Sequence, residues 1–240
     1  MVDLVQVACG IIGFAPAMAL FYYTLGDYTF PKAPKPFFDD RKVFLFFALG
    51  IILGMVIFAF ESWGSTVGTA ETVLLLIVGF AAMEELMKLV ILNFPRFQRK
   101  IDTAFCGLAM GLGMGATFTF ATVYSYLLGL PEVQAADLVI VGFLGILFVL
   151  LHASTSALVG IGVARGDVKG YFPEALLIHL AFGLLYESFF VIELLEPPLN
   201  LAGLVGATAV VVYAYHKVHT TSLPALVRDA KRLLAKEKNA

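Results

Sequence analysis

Long runs of apolar residues, separated by short polar stretches, follow one another along the chain. A membrane-spanning helix needs about 20 predominantly apolar residues. Seven segments meet that requirement, at residues 4–25, 43–62, 70–93, 103–128, 137–164, 174–195 and 199–216. The connections between them are short, which suits antiparallel neighbours in one bundle. The pattern predicts an all-α polytopic membrane protein, a seven-transmembrane-helix bundle.

Positively charged residues fall on alternate connections between these segments. The 16 Lys and Arg residues comprise Lys32, Lys35, Arg41 and Lys42 in the first connection, Arg96, Arg99 and Lys100 in the third, Arg165 and Lys169 in the fifth, Lys88 inside a segment, and six from Lys217 onward. Because positive residues mark the cytoplasmic side, we expect the N-terminus outside and the C-terminus in the cytoplasm. Six or eight helices would break this alternation.

Composition agrees with a membrane protein. Hydrophobic residues make up 60% of the chain and charged residues 14%, with a mean hydropathy of +0.90, whereas soluble domains average about 25% charged residues. The basic residues are not interleaved with aromatic ones, so we expect no nucleic-acid partner. Cys9 and Cys106 lie in apolar segments without a C-x-x-C motif, and we interpret both as packing residues.

We expect two parts in the chain, a transmembrane domain over residues 1–221 and a cytoplasmic tail over residues 222–240. The tail repeats apolar residues at helical spacing between basic ones, which predicts an amphipathic helix. Such a helix lies either in the membrane interface or in solvent. Loop 26–42, rich in Pro and aromatic residues, is expected over the cytoplasmic mouth of the bundle.

Small residues recur at four-residue spacing in the fourth segment, at Gly107, Gly111 and Gly115. This spacing lets two membrane helices approach closely. It predicts a tight helix crossing and no particular function.

Ionisable residues are few inside the apolar segments, and such residues in a bilayer are usually paired or functional. They are Glu84, Glu85 and Lys88 in the third segment, His152 in the fifth, and His179 and Glu187 in the sixth, with Glu193 nearer the outer end. At about 1.5 Å per residue, Glu84, His152 and His179 lie roughly 15, 20 and 9 Å from the cytoplasmic ends of their segments. Three helices are therefore expected to meet at one polar pocket in the cytoplasmic half.

Several interpretations of this pocket remain open. Glu84 and Lys88 have the favourable i,i+4 spacing for an ion pair, which leaves the second carboxylate unexplained, and the histidines could serve as interhelical hydrogen-bond partners. A carboxylate and an imidazole together also suit hydrolysis by activated water. A metal held by Glu and His ligands could activate water as well, and ion or proton translocation uses the same residue types.

Four motifs resemble those of PrsW-type intramembrane proteases, which belong with the CAAX prenyl endopeptidases. MEELMKLVIL (83–92) resembles their E-E-x-x-K motif, IDTAFCGLAMGLGMGATF (101–118) the following Gly-rich helix, LLHASTSALVG (150–160) their H-A-x-x-x-x-x-x-G segment, and LLIHLAFG (176–183) their last histidine motif. The first segment, ACGIIGFAPAMALFYYTL (8–25), resembles the first helix of the Aph (anterior-pharynx-defective) subunit of γ-secretase, in the same superfamily.

The resemblance implies roles for individual residues. Glu84 and Glu85 would be the water-activating carboxylates, His152 and His179 catalytic histidines, and Lys88 would position the Glu pair. A divalent metal such as zinc, if present, would use Glu85, His152 and His179.

Two departures weaken the match to the proteases. Phe118 and Thr119 stand where they carry a Glu-Asn pair, and Gly183 stands where they carry Asn. Glu187, one turn beyond Gly183, is a candidate substitute. These losses resemble the Aph subunit, which is a scaffold.

Two functions are therefore expected from the sequence. The first is an intramembrane endopeptidase, of glutamic or metallo type, that cleaves a transmembrane peptide near the cytoplasmic side. The alternative is an inactive Aph-like scaffold that binds helices of a partner membrane protein. In either case we expect a multi-pass protein of a lipid bilayer, the plasma membrane of a prokaryote.

Overall fold

The computed structural model of the chain describes residues 4–33, 37–67, 72–191 and 197–238, and every regular element in these ranges is a helix. The α-helices are α1 Leu4–Leu25, α2 Asp40–Val67, α3 Val73–Leu92, α4 Asp102–Leu128, α5 Ala135–Arg165, α6 Val168–Val191, α7 Pro197–Lys217 and α8 Leu223–Lys238. A 3₁₀ turn, Gly26–Tyr28, follows α1, and a π-helical segment, Val218–Ser222, joins α7 to α8. The all-α prediction is confirmed.

Six stretches of the described chain are long and apolar enough to cross a bilayer. They are Leu4–Tyr28, Asp40–Gly64, Asp102–Leu128, Ala135–Arg165, Val168–Phe189 and Leu201–Leu233. Helix α3 is not among them because Glu84, Glu85 and Lys88 put three ionisable residues within its 20 residues. Six such stretches characterise a multi-pass integral membrane protein.

The helix bounds follow the predicted apolar segments within a few residues, except at the end of α2, which continues past residue 62 to Val67, and at the start of α6. The segment was predicted to begin at residue 174, after Pro173, but α6 begins at Val168. Oδ1 of Asp167 accepts a hydrogen bond from the backbone N–H of Gly170 at 3.1 Å, the usual arrangement of an N-cap. Pro173 lies in the second turn of α6, where it cannot donate the i→i−4 hydrogen bond to the carbonyl oxygen of Lys169.

Helix α4 lies at the centre of the bundle and is buried without interruption from Thr103 to Thr119. It packs against α5, α2 and α1. Gly107, Gly111 and Gly115 all face α5, where a Cβ atom would meet the backbone of residues 148–160. These glycines allow α4 and α5 to approach closely.

The glycines of α2 bring that helix onto the opposite side of α4. A Cβ atom at Gly50 or Gly54 would meet the backbone of Met110 or Met114, and Gly113 faces Phe47 of α2 in return. Helices α6 and α7 pack on each other and on α5, and α3 covers part of α5 and α6. Helices α2 and α3 make few contacts with each other.

Helix α8 and the first connection lie together at one end of the bundle. Leu223, Leu226 and Val227 of α8 are buried, whereas Leu233 is exposed. Tyr28 and Phe38 of the first connection each pack against the ring of Phe105 at the start of α4, with ring centroids 5.0 Å apart. Half of the apolar stripe on α8 therefore packs against protein.

Candidate active site

The ionisable residues of the apolar segments meet inside the bundle. Glu84, Glu85 and Lys88 of α3 are between 0 and 2% exposed, and His152 of α5 and His179 of α6 are 1 and 7% exposed. Their side chains form one contiguous cluster, described next from Glu85 outward.

Glu85 is held by two neighbours. Lys88 donates a hydrogen bond from Nζ to Oε1 of Glu85 at 2.6 Å and a second to Oγ1 of Thr155 at 2.9 Å. Nδ1 of His179 lies 2.7 Å from the same carboxylate oxygen. A carboxylate only accepts hydrogen bonds, so Nδ1 of His179 is the donor. The contact ties α3 to α6, and Thr155 ties α3 to α5.

The interpretation that pairs Glu84 with Lys88 is wrong, because Lys88 forms its ion pair with Glu85, at i,i+3 spacing. Successive residues of a helix point about 100° apart. Glu85 and Lys88 face Thr155 on α5, where Lys88 finds its second partner, and Glu84 points toward a cavity beside them. Lys88 thus holds one member of the Glu pair in place.

Glu84 makes no hydrogen bond to either histidine. Its Oε2 lies 3.5 Å from Nδ1 of His152, and its Oε1 lies 3.7 Å from Nε2 of His179. Among the residues that the structure describes, neither Oε2 of Glu84 nor Nδ1 of His152 has a hydrogen-bond partner, although both atoms are buried. Oε2 of Glu85 is unpartnered in the same way. Buried polar atoms are nearly always satisfied, and one polar group beside Oε2 of Glu84 and Nδ1 of His152 could hydrogen-bond to both of these atoms.

Aromatic rings pack in a chain around the two imidazoles. The rings of His152 and His179 meet edge to face with centroids 5.7 Å apart. Phe118 of α4 packs on His152 in the same manner at 5.6 Å, and Phe148 lies 5.0 Å from Phe118. The packing restrains His152, whose Nδ1 atom has no hydrogen bond from the described part of the chain to orient it.

A cavity of about 370 Å³ opens from Glu84, His152 and His179. Its lining comes from α2 (Phe58, Glu61, Ser62), α3 (Val73, Leu76, Ile77, Phe80, Ala81, Glu84), α4 (Phe118, Thr122), α5 (Phe148, Leu151, His152) and α6 (His179, Phe182, Gly183, Tyr186, Glu187). From the cluster, the cavity extends toward the start of α3 and the end of α6. Those are the helix ends farthest from the Arg- and Lys-bearing connections.

Glu61 of α2 is a site residue that the sequence interpretation missed. It lines the cavity, and its carboxyl group is in contact with that of Glu84. The predicted second segment ended at residue 62, which put Glu61 at the membrane surface, whereas α2 continues to Val67. The available signal was helical spacing, because Gly50, Gly54 and Glu61 lie on one face of α2.

The remaining predicted residues lie around the same cavity. Glu187 and Gly183 line it on α6. The ring of Phe118 lies against His152, where the PrsW pattern has a polar residue. Thr119 points away and donates a hydrogen bond to the carbonyl oxygen of Gly145 at 3.1 Å. Glu193 lies outside the described residues.

The glycine stripe on α4 sets the position of His152. A Cβ atom at Gly111 would meet the carbonyl group of His152 and would lie 2.8 Å from Cβ of Ser156. A larger residue at Gly111 would therefore move α5, and His152 with it, away from α4.

The residues do not fit the metal set formed by Glu85, His152 and His179. Oε1 of Glu85 already accepts hydrogen bonds from Lys88 and His179. Within the described ranges, no group of three or more His, Cys, Asp or Glu side chains is arranged to hold a metal ion. The side chains of the cluster themselves can supply acid–base chemistry.

Comparisons with known proteins give no match. No family model, no curated protein and no solved structure matches the chain.

Proposed function

We propose that this chain is a PrsW-like intramembrane endopeptidase that hydrolyses a peptide bond of a membrane-embedded substrate, with Glu84 as the general base. The observation that carries the proposal is that Oε2 of Glu84 and Nδ1 of His152, both buried and 3.5 Å apart, have no hydrogen-bond partner among the described residues. A buried water molecule needs two to four polar partners, and these two atoms at the cavity wall supply them.

The proposed step needs no other reagent than water. Glu84 takes a proton from the water molecule, and the water oxygen attacks the carbonyl carbon of the peptide bond. An imidazole N–H of His152 stabilises the negative charge that develops on the carbonyl oxygen. As the C–N bond breaks, Glu84 returns the proton to the leaving nitrogen, which yields a carboxylic acid and an amine.

The remaining cluster residues serve as positioning residues. Glu85 receives the Nδ1–H of His179 and so directs Nε2 of His179 toward Glu84. Lys88 balances the charge of Glu85 in the buried cluster. The sequence left open which glutamate acts as the base. We assign that role to Glu84, because Glu85 is held by Lys88 and His179.

The cavity favours an apolar peptide in an extended or unwound state. Phe58, Phe80, Phe118, Phe148 and Phe182 supply most of its aromatic wall. Its volume of about 370 Å³ holds a few side chains, whereas an α-helix is about 10 Å across. A substrate helix would therefore unwind at the scissile bond.

We further propose seven membrane spans, with α3 as the additional one, and the N-terminus outside. The ionisable residues of α3 face the bundle, and its outer face presents Leu75, Leu86 and Val90, which are 50–72% exposed. Lipid would then contact only apolar side chains of α3. The alternation of positive connections supports the orientation, with α8 on the cytoplasmic side. The plasma membrane of a prokaryote is the proposed location.

The test is cleavage of a library of transmembrane peptides by purified protein in nanodiscs. We expect the wild type to cleave and Glu84→Gln to lose about 100-fold or more in rate while remaining folded. Glu132→Gln removes an exposed carboxylate in the fourth connection and serves as the matched control. Equal cleavage by a folded Glu84→Gln variant would refute the proposal, and a chelator arm tests for a metal.

The second candidate is an Aph-like scaffold without catalysis, and one observation favours it. Phe118 places an apolar ring on His152 where the proteases carry a polar pair. A scaffold predicts co-purification of one specific membrane partner and no proteolysis. A protein that stays monomeric after cross-linking in native membranes would count against it.

A further inference from the structure

Two carboxyl groups from different helices meet in the cavity, Glu61 from α2 and Glu84 from α3. Both side chains line the cavity, and their carboxyl groups are in contact. Because a carboxylate only accepts, a hydrogen bond between two carboxyl groups requires a proton on one of them. We propose that Glu61 and Glu84 share a proton and that Glu61 is the acid partner of Glu84. The catalytic part of this inference rests on the proposed hydrolysis.

A second, independent observation places a ligand site at this carboxyl pair. His152 of α5 is 1% exposed, and its Nδ1 atom has no partner among the described residues. That atom lies 3.5 Å from Oε2 of Glu84 and lines the same cavity. The two carboxyl groups and the imidazole, which belong to α2, α3 and α5, thus surround one position in the cavity.

The charged and titratable groups around the pair leave the proton with the two carboxyl groups. His152 on α5 and His179, Tyr186 and Glu187 on α6 line the same cavity, whereas Glu85 and Lys88 of α3 lie beside it and face Thr155 on α5. Lys88 is used by Glu85. No Lys or Arg of the described chain forms an ion pair with Glu61 or Glu84. Two adjacent carboxyl groups without a cation retain one proton between them.

A shared proton completes the hydrolysis. Glu84 takes a proton from water while Glu61 gives its proton to the carbonyl oxygen, and the C–O bond forms. When the C–N bond breaks, one hydroxyl of the tetrahedral carbon returns a proton to Glu61. Glu84 passes its proton to the leaving nitrogen. Both carboxyl groups end in their starting states, and the products are a carboxylic acid and an amine.

The pairing is tested without any need for activity, by infrared spectroscopy of the full chain in nanodiscs. We expect one component of the protonated-carboxyl band to shift or disappear in Glu61→Gln and in Glu84→Gln alike. The exposed control Glu132→Gln leaves it unchanged. A component that Glu84→Gln removes and Glu61→Gln leaves intact would overturn the pairing.

The catalytic role is tested with the transmembrane-peptide assay and its pH–rate profile. We expect Glu61→Gln to lower kcat about 100-fold, leave KM within a few-fold, and remove one limb of the profile, while Glu61→Asp regains part of the rate. If the wild type cleaves and Glu61→Gln matches it, this inference fails and the proposed function stands. If the wild type cleaves no peptide, the catalytic role of both carboxyl groups is refuted, and the infrared result still decides the pairing.

Discussion

Oε1 of Glu85 lies 2.7 Å from Nδ1 of His179, and the contact joins α3 to α6 in the interior of the bundle. The same oxygen accepts the hydrogen bond of Lys88. One carboxylate oxygen of Glu85 therefore pairs with the Lys88 cation and orients the His179 imidazole, so neither Lys88 Nζ nor His179 Nδ1 is paired with Glu84.

Removal of the Lys88 charge should destabilise the protein strongly, because Glu85 would remain buried without its cation. Breaking a buried ion pair costs about 3–5 kcal/mol, so Lys88→Met should lower the thermal unfolding midpoint in detergent. The double variant Glu85→Gln/Lys88→Met should recover much of the loss, since both charges are then gone. Equal midpoints for the wild type and Lys88→Met would contradict the buried pair.

Gly111 is expected to tolerate no larger residue. In Gly111→Ala the new Cβ atom meets the His152 carbonyl group, and overpacking of this kind costs about 1–3 kcal/mol. Gly142→Ala is the matched control, because a Cβ atom there has no neighbour within 4 Å. Unfolding midpoints should fall for Gly111→Ala and stay level or rise for Gly142→Ala, since Ala favours helix over Gly. The reverse order would rule out the tight α4–α5 crossing.

The two halves of the apolar stripe on α8 should respond differently to truncation. Leu226 is 6% exposed and Leu233 is 62% exposed. Leu226→Ala should cost about 2–3 kcal/mol, and Leu233→Ala should change the free energy of unfolding by no more than about 0.5 kcal/mol. Chemical denaturation of both variants in the same detergent measures the difference. Equal losses would mean that α8 does not pack on the bundle through this face.

The proposed orientation predicts which single cysteine a membrane-impermeant maleimide labels in intact cells. Cys9 and Cys106 are 0 and 1% exposed and should give little background. Glu132→Cys, in the fourth connection, should react from outside, whereas Gln98→Cys, in the third, should react only after permeabilisation. Labelling of Gln98→Cys in intact cells would reverse the topology.

Helix positions were predictable from the sequence because each apolar run is long and closed by charge or proline. Which glutamate pairs with Lys88 was not predictable, because the i,i+4 rule that favours Glu84 considers the helix in isolation. Thr155 of α5 and His179 of α6 draw Lys88 and Glu85 together, and residues 67–94 positions away cannot be read from spacing. Glu61 was not identified as a site residue for a related reason, since its neighbour Glu84 belongs to another helix.

The burial of Glu84, Glu85 and Lys88 on α3 has a consequence for biogenesis. Each ionisable residue at the centre of a membrane helix costs about 2.5–3.5 kcal/mol during insertion. Their partners His152, Thr155 and His179 are synthesised later, on α5 and α6. Helix α3 is therefore poorly suited to leave the translocon by itself. We expect it to enter the lipid only together with the helices that follow it.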